Sequence, residues 1–71
     1  MEGWAKIYST TQAIQAEMIV FELQNVGIHA VHINKKDSSY PVFGICDVFV
    51  PIDVQEQAEE FLESFDLDAF H

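Results

Sequence analysis

The amino-acid sequence predicts an α+β fold, a two-layer sandwich with the element order β-α-β-β-α. Two segments repeat apolar residues at the period of a helix, and three shorter segments alternate or run apolar as strands do. Each helical segment carries an apolar stripe that needs a sheet to cover it. A length of 71 residues fits a single domain over residues 1–71.

The first strand is predicted at Trp4–Tyr8 because its side chains alternate, with Ala5 and Ile7 on one face. The hydroxyl residues that follow are typical of a helix start. Ser9 and Gln12 have the spacing of a capping box, so we expect them to cap the first helix.

The first helix is predicted from about Thr11 to Val26. Gly27 should end it in a left-handed conformation, with Ile28 placed for the apolar contact of a Schellman motif. At 100° per residue one stripe is expected to face the core. This stripe consists of Ala13, Ala16, Ile19, Val20, Leu23 and Val26.

The second and third strands are predicted at Ile28–Ile33 and Ile45–Val50, with Asn34–Gly44 as the longest loop between them. Asp53 should then cap the second helix, with Glu56 in the capping-box position. The tail, 66–71, is expected to add a short edge strand or to fray. The apolar stripe predicted for the second helix consists of Val54, Ala58, Phe61, Leu62 and Phe65.

The order of elements also predicts how the strands assemble. A strand, a helix and a second strand suggest a right-handed crossover between parallel neighbours. The third strand should then pair antiparallel with one of them. The expected result is a ferredoxin-like βαββα unit, a split βαβ whose last strand is absent or short.

Composition excludes several classes of function. The chain has a formal net charge of −9, from 12 acidic residues against three lysines, so phosphate-rich nucleic acid and anionic lipid should repel it. Neither a signal peptide nor an apolar run long enough to span a bilayer is evident. A lone cysteine, Cys46, allows no internal disulfide and is typical of a small buried side chain in a reducing compartment. We therefore expect a cytoplasmic protein without nucleic-acid or membrane partners.

No catalytic or metal-binding set is recognisable, so we expect neither enzymatic activity nor a cofactor. His29 and His32 lie three apart on a predicted strand and should face opposite sides of the sheet. Whether Asp47 lies near one of them depends on how the strands pair. His71 is the last residue. The glutamates on the two helices, Glu17, Glu22, Glu56, Glu59, Glu60 and Glu63, are predicted to form solvated faces.

Two groups of apolar side chains lack a predicted partner. One lies on the first helix, nearly opposite its core stripe, and consists of Ile14, Met18 and Phe21. The other lies on the sheet. The residues expected to face the helices are Ala5, Ile7, Val31, Ile33, Cys46, Val48 and Val50, which leaves Trp4, Tyr8, Ile45 and Phe49 facing outward.

Contiguous apolar patches of this kind often mark a protein interface, whereas single apolar residues scattered over a surface do not. RNA-binding modules of this architecture stack bases on sheet aromatics, but the acidic charge disfavours that use here. A further alternative is that the tail folds back over the sheet, with Leu67 and Phe70 as its contacts.

The chain carries a series of local motifs: Ala16-Glu17, Leu23 and the helix-ending Gly27-Ile28, then Val50-Pro51 and the segment from Glu56 to Leu62. These motifs resemble those of a bacterial family of unknown function that carries the label of prokaryotic signal-transducing proteins. The resemblance covers about Lys6 to Phe65 and implies a ferredoxin-like fold similar to that of the nitrogen-regulatory PII proteins. PII proteins bind nucleotide through basic and glycine-rich loops, which this chain lacks.

The sequence therefore favours a non-enzymatic regulatory or adaptor domain that forms a homo-oligomer, with a dimer favoured, and docks to a protein partner. The alternative is a small-molecule sensor that binds an anionic metabolite at the 34–44 loop. That loop holds two of the three lysines, and Lys35, Lys36 and Tyr40 would be the contacts.

Overall fold

The computed structural model describes residues 2–36 and 44–65. Within these ranges the elements follow the predicted α+β order, with a short 3₁₀ turn before the last helix. The tail, with Leu67 and Phe70, lies outside the described residues. The elements are β1 (Trp4–Thr10), α1 (Ala13–Asn25), β2 (Val31–Lys36), β3 (Gly44–Pro51), the 3₁₀ turn (Ile52–Val54) and α2 (Gln55–Ser64).

The described strands form a sheet in the order β1-β3-β2, with both neighbouring pairs antiparallel. β1 and β2 therefore run parallel, but β3 lies between them. The prediction that they are direct neighbours is wrong, whereas the ferredoxin-like, split βαβ arrangement is confirmed. β3 takes the central position because its side chains are the most apolar: Cys46, Val48 and Val50 are all buried.

A bulge in β1 changes which side chains face the helices. The register shifts between Lys6, opposite Phe49, and Tyr8, opposite Val48, so Ile7 is an extra residue in β1. Residues opposite each other in a ladder share a face, and an extra residue shifts the alternation by one. Tyr8 consequently packs against the core side of the sheet, and the prediction that it faces outward with Trp4 is wrong.

The alternation of β2 is also the reverse of the predicted one. Val31 pairs with Phe49 and Ile33 pairs with Asp47, so both lie on the face away from the helices. The residue that enters the core is Ala30, which is 1% exposed. A small side chain at this position lets α1 lie close to the sheet, where the Gln24 side-chain amide donates to the Ala30 carbonyl oxygen at 3.2 Å.

The described core lies between the sheet and both helices. Helix α1 contributes Ala16, Ile19 and Leu23, which are fully buried. Two of its predicted core residues are not buried: Ala13 is exposed, and Val26 is 52% exposed because it follows the last helical turn. The buried set is Ala16, Ile19, Leu23, Ile28, Ala30, Cys46, Val48, Val50 and Ala58.

Helix α1 starts differently from the prediction. Gln12 is the N-cap residue, and its side chain makes no capping hydrogen bond. Ser9 lies within β1, so the Ser9–Gln12 capping box does not form. The Thr10 hydroxyl makes the side-chain hydrogen bonds at this helix start instead. It accepts a hydrogen bond from the Gln12 amide N–H at 3.1 Å and donates one to Oε1 of Gln15 at 2.8 Å.

Helix α1 ends as the sequence predicts. Gly27 has a φ of +85°, in the left-handed region. The Ile28 amide donates to the Leu23 carbonyl at 2.9 Å and the Gly27 amide donates to the Gln24 carbonyl at 3.0 Å, which is the Schellman pattern. Leu23 and Ile28 are both buried, which completes the apolar contact of the motif.

Helix α2 begins after the 3₁₀ turn and has no side-chain cap. Asp53 lies inside that turn and Val54 is the N-cap, so the predicted Asp53–Glu56 capping box does not form. The apolar stripe of this helix is confirmed, because Ala58 is buried and the other four predicted residues pack against the core. Neither described helix has the length and continuous apolar character that crossing a lipid bilayer requires.

Candidate protein interaction surfaces

The first candidate surface is the outer side of helix α1. Ile14 and Phe21 are each 61% exposed, and Met18 is half-buried between them. We call these three residues the α1 stripe. At 100° per residue Leu23, which is fully buried, lies about 180° around the helix from Ile14. The stripe therefore points directly away from the core.

Acidic side chains lie on both sides of the α1 stripe. Glu17 is exposed on one flank, and Glu22 is half-buried on the other. Helix α1 contains no lysine, arginine or histidine. Lys6 belongs to β1 and pairs with Phe49, on the face of the sheet that points away from the helices. The stripe is thus an apolar surface with a negative border.

The second candidate surface is the side of the sheet that faces away from the helices, which we call the sheet face. Its residues follow from the register of the strands. Ile45 is 46% exposed, and Trp4, Phe49, Val31 and Ile33 are half-buried. No described helix packs on this side. The sheet face includes Trp4, Lys6, Ser9, Val31, Ile33, Ile45, Asp47 and Phe49.

An aromatic pair lies at one end of the sheet face. The rings of Trp4 and His29 lie 5.5 Å apart, centroid to centroid, at an interplanar angle of 54°. Such a tilted arrangement is favourable for aromatic rings. His29 therefore has a packing role beside Trp4.

The centre of the sheet face carries a buried carboxylate. Asp47 is only 3% exposed, and the Ser9 hydroxyl donates to its Oδ1 at 2.5 Å across the β1–β3 ladder. Leaving a buried polar group without a hydrogen-bond partner is costly, so this pair helps to hold β1 in register. Sequence reasoning missed the pair, because only the strand register brings Ser9 opposite Asp47.

The remaining polar residues stay apart. His32 lies opposite Val48, on the other face from Asp47, so the two do not meet in the sheet. Cys46 is a free thiol in the core. Within residues 2–36 and 44–65, no three His, Cys, Asp or Glu side chains are grouped to hold a metal ion. The glutamates of α2 lie on its exposed side.

The start of the predicted ligand loop belongs to β2. β2 extends to Lys36, and Lys35 and Lys36 pair through their backbones with Ile45 and Gly44. The segment 34–36 is therefore strand, and the prediction that it belongs to the loop is wrong. Tyr40 lies outside the described residues. Two open depressions in the described part of the chain have no lysine in their lining: one lies beside Ile7, Tyr8 and Leu62, and the other beside Gln24 and His29.

Comparisons of the chain with models of known protein families, with curated proteins and with solved structures find no match. The resemblance to the bacterial signal-transducing family stays a hypothesis.

Proposed function

We propose that this chain is a small acidic, non-enzymatic regulatory or adaptor domain of the cytoplasm that acts by oligomerising and by docking to another protein. One observation carries the proposal: apolar side chains lie on both outer sides of the domain, away from its core. Ile14 and Phe21 are 61% exposed on one side, and Ile45 is 46% exposed on the other.

Energetics support an interaction at these surfaces. Full burial of a Phe or Ile side chain is worth roughly 1.5–3 kcal/mol. Covering the 61% of Phe21 and of Ile14 that is exposed would therefore contribute roughly 1–2 kcal/mol each. Interfaces depend on a few such anchors surrounded by weaker contacts.

Charge separates the roles of the two surfaces. The sheet face includes Lys6 and one carboxylate, Asp47, that already accepts the Ser9 hydroxyl, and Lys35 pairs through its backbone with Ile45 of this face. Two copies brought together there would not meet a cluster of acidic side chains. The charged residues that border the α1 stripe are both glutamates, Glu17 and Glu22. We therefore assign self-association to the sheet face and partner docking to the α1 stripe.

Sedimentation velocity at high micromolar concentration tests self-association. The wild-type protein should sediment as a dimer, the commonest closed assembly. Ile45→Glu should raise the dissociation constant at least about tenfold, because it buries a charge in the interface. Ile14→Glu is the matched control, since it makes the same chemical change on the other side of the domain, and it should leave the dimer intact.

A wild-type protein that stays strictly monomeric would remove oligomerisation from the proposal. Loss of the dimer in Ile14→Glu but not in Ile45→Glu would show that the copies meet through α1 instead. Both variants change exposed positions, so each should keep its free energy of unfolding within about 0.5 kcal/mol of wild type.

A further inference from the structure

The α1 stripe has the spacing of a two-helix seam. Ile14, Met18, Phe21 and Asn25 follow one another at intervals of four, three and four residues, which is the alternation of heptad positions a and d. In this assignment Ile14 and Phe21 occupy d, whereas Met18 and Asn25 occupy a. The polar Asn25 lies at the last position of the seam.

The same assignment places acidic residues where coiled coils select partners. Glu17 falls at position g and Glu22 at position e, the two positions whose charges set partner choice. The other e and g residues are Gln15 and Gln24. Gln15 is 9% exposed and hydrogen-bonded to Thr10, so its side chain is turned into the domain. Gln24 is exposed but neutral, so the charged residues on the flanks of the seam are both glutamates.

A second copy of this chain offers those glutamates no cation. In a parallel pairing, position g of one helix meets position e of the next heptad in the other, so Glu17 would face Glu22 of the second copy. In an antiparallel pairing of two α1 helices, with the middles of the two seams opposite each other, Glu17 would face Gln24 and Glu22 would face Gln15. Like charges disfavour the parallel pairing. The antiparallel pairing leaves both glutamates without a cation, which a basic partner helix would supply.

We propose that the α1 stripe binds an amphipathic helix of a partner protein, with apolar residues at its a and d positions and Lys or Arg at e and g. This inference rests on the proposed docking function and names the chemistry of the partner. Helix α1 has 13 residues and is about 20 Å long, which matches roughly two heptads of the partner. The acidic flanks also speed the encounter with a basic helix.

The test uses synthetic peptides of about three heptads with leucine at a and d. The first carries lysine at e and g, and the second carries glutamate there. A third has the composition of the lysine peptide in a scrambled order without the heptad period, which measures non-specific attraction to an acidic protein. Binding of each labelled peptide to the full chain is followed by fluorescence anisotropy.

Three variants identify the surface that binds. Ile14→Gln/Phe21→Gln removes the apolar seam. Glu17→Lys/Glu22→Lys reverses the charge of its flanks. Glu60→Lys/Glu63→Lys is the matched control, because it makes the same change in net charge at two exposed positions of α2. Circular dichroism confirms that each variant is folded.

The expected result is binding of the lysine peptide with a dissociation constant of about 10–100 μM, and at least tenfold weaker binding of the other two peptides. The seam variant should weaken the lysine peptide at least about tenfold. The flank variant should lose the lysine peptide and bind the glutamate peptide. The α2 variant should stay within about twofold of wild type.

Several results would overturn the inference. They are equal binding of the scrambled lysine peptide, equal weakening by the α2 variant, or no binding of the lysine peptide. If the lysine peptide fails while Ile14→Gln/Phe21→Gln abolishes a wild-type dimer, the occupant is a second copy, and of the proposed function only oligomerisation survives. If neither peptide binding nor self-association is found, the proposed function fails as well.

Discussion

Replacing Gly27 with alanine isolates a backbone contribution to stability at the end of helix α1. Gly27 has a φ of +85°, and a Cβ at this position would meet nothing within 4 Å. The substitution therefore adds no steric clash with the rest of the fold. Its effect comes from the left-handed backbone, which disfavours a side chain.

The magnitude follows from two opposing terms. A left-handed conformation costs an alanine roughly 1–2 kcal/mol. Alanine also reduces the conformational entropy of the unfolded chain, which raises the free energy of unfolding by roughly 0.4–1 kcal/mol. The net loss in the free energy of unfolding should be about 1 kcal/mol. For a domain of this size that corresponds to a fall in Tm of roughly 4–8 °C.

Urea denaturation followed by far-ultraviolet circular dichroism measures this loss. Wild type and variant are compared at one low protein concentration, because association stabilises the folded state. The midpoint should fall while the m-value stays constant, since the surface exposed on unfolding does not change. Gly27→Asn is the control, because asparagine tolerates the left-handed region better than alanine and should lose less.

Two outcomes would refute this reasoning. If Gly27→Ala is as stable as wild type, the helix end has another conformation or does not limit stability. If Gly27→Asn loses as much as Gly27→Ala, the left-handed backbone is not the cause of the loss.

Three further predictions concern the core, the sheet and the charge of the chain. Ile19→Ala should lower the free energy of unfolding by about 2–5 kcal/mol, whereas Ile14→Ala on the same helix should change it by at most about 0.5 kcal/mol; equal losses in thermal unfolding would contradict the assigned faces. Ser9→Ala should cost about 1–2 kcal/mol in urea denaturation, because the buried Asp47 carboxylate loses a donor, and an unchanged midpoint would show that this bond contributes nothing. Raising the NaCl concentration to about 0.15 M should raise Tm, because salt screens the repulsion within a chain of net charge −9, and a Tm that falls or stays constant would contradict this.

The helices were predictable from the sequence because their signals are local. The stop at Gly27 depends on residues within two helical turns, and the apolar stripe of α2 depends on periodicity within one segment. The exposed residues of the α1 stripe were also identified in this way. Both helix starts were predicted wrongly, because hydroxyl and carboxylate residues at capping spacing have other roles in this fold: Ser9 bonds Asp47, and Asp53 lies in the 3₁₀ turn.

Only the tertiary structure decided which side of the sheet each strand residue faces. The period of a strand is two, so one extra residue at Ile7 was enough to move Tyr8 from the outer face to the core. Val31 and Ile33 are more apolar than Ala30, yet the register with β3 places them outside and Ala30 under helix α1. Alternation in a strand identifies two faces, but the choice between them depends on pairing with a segment distant in sequence and on the space that the helix leaves.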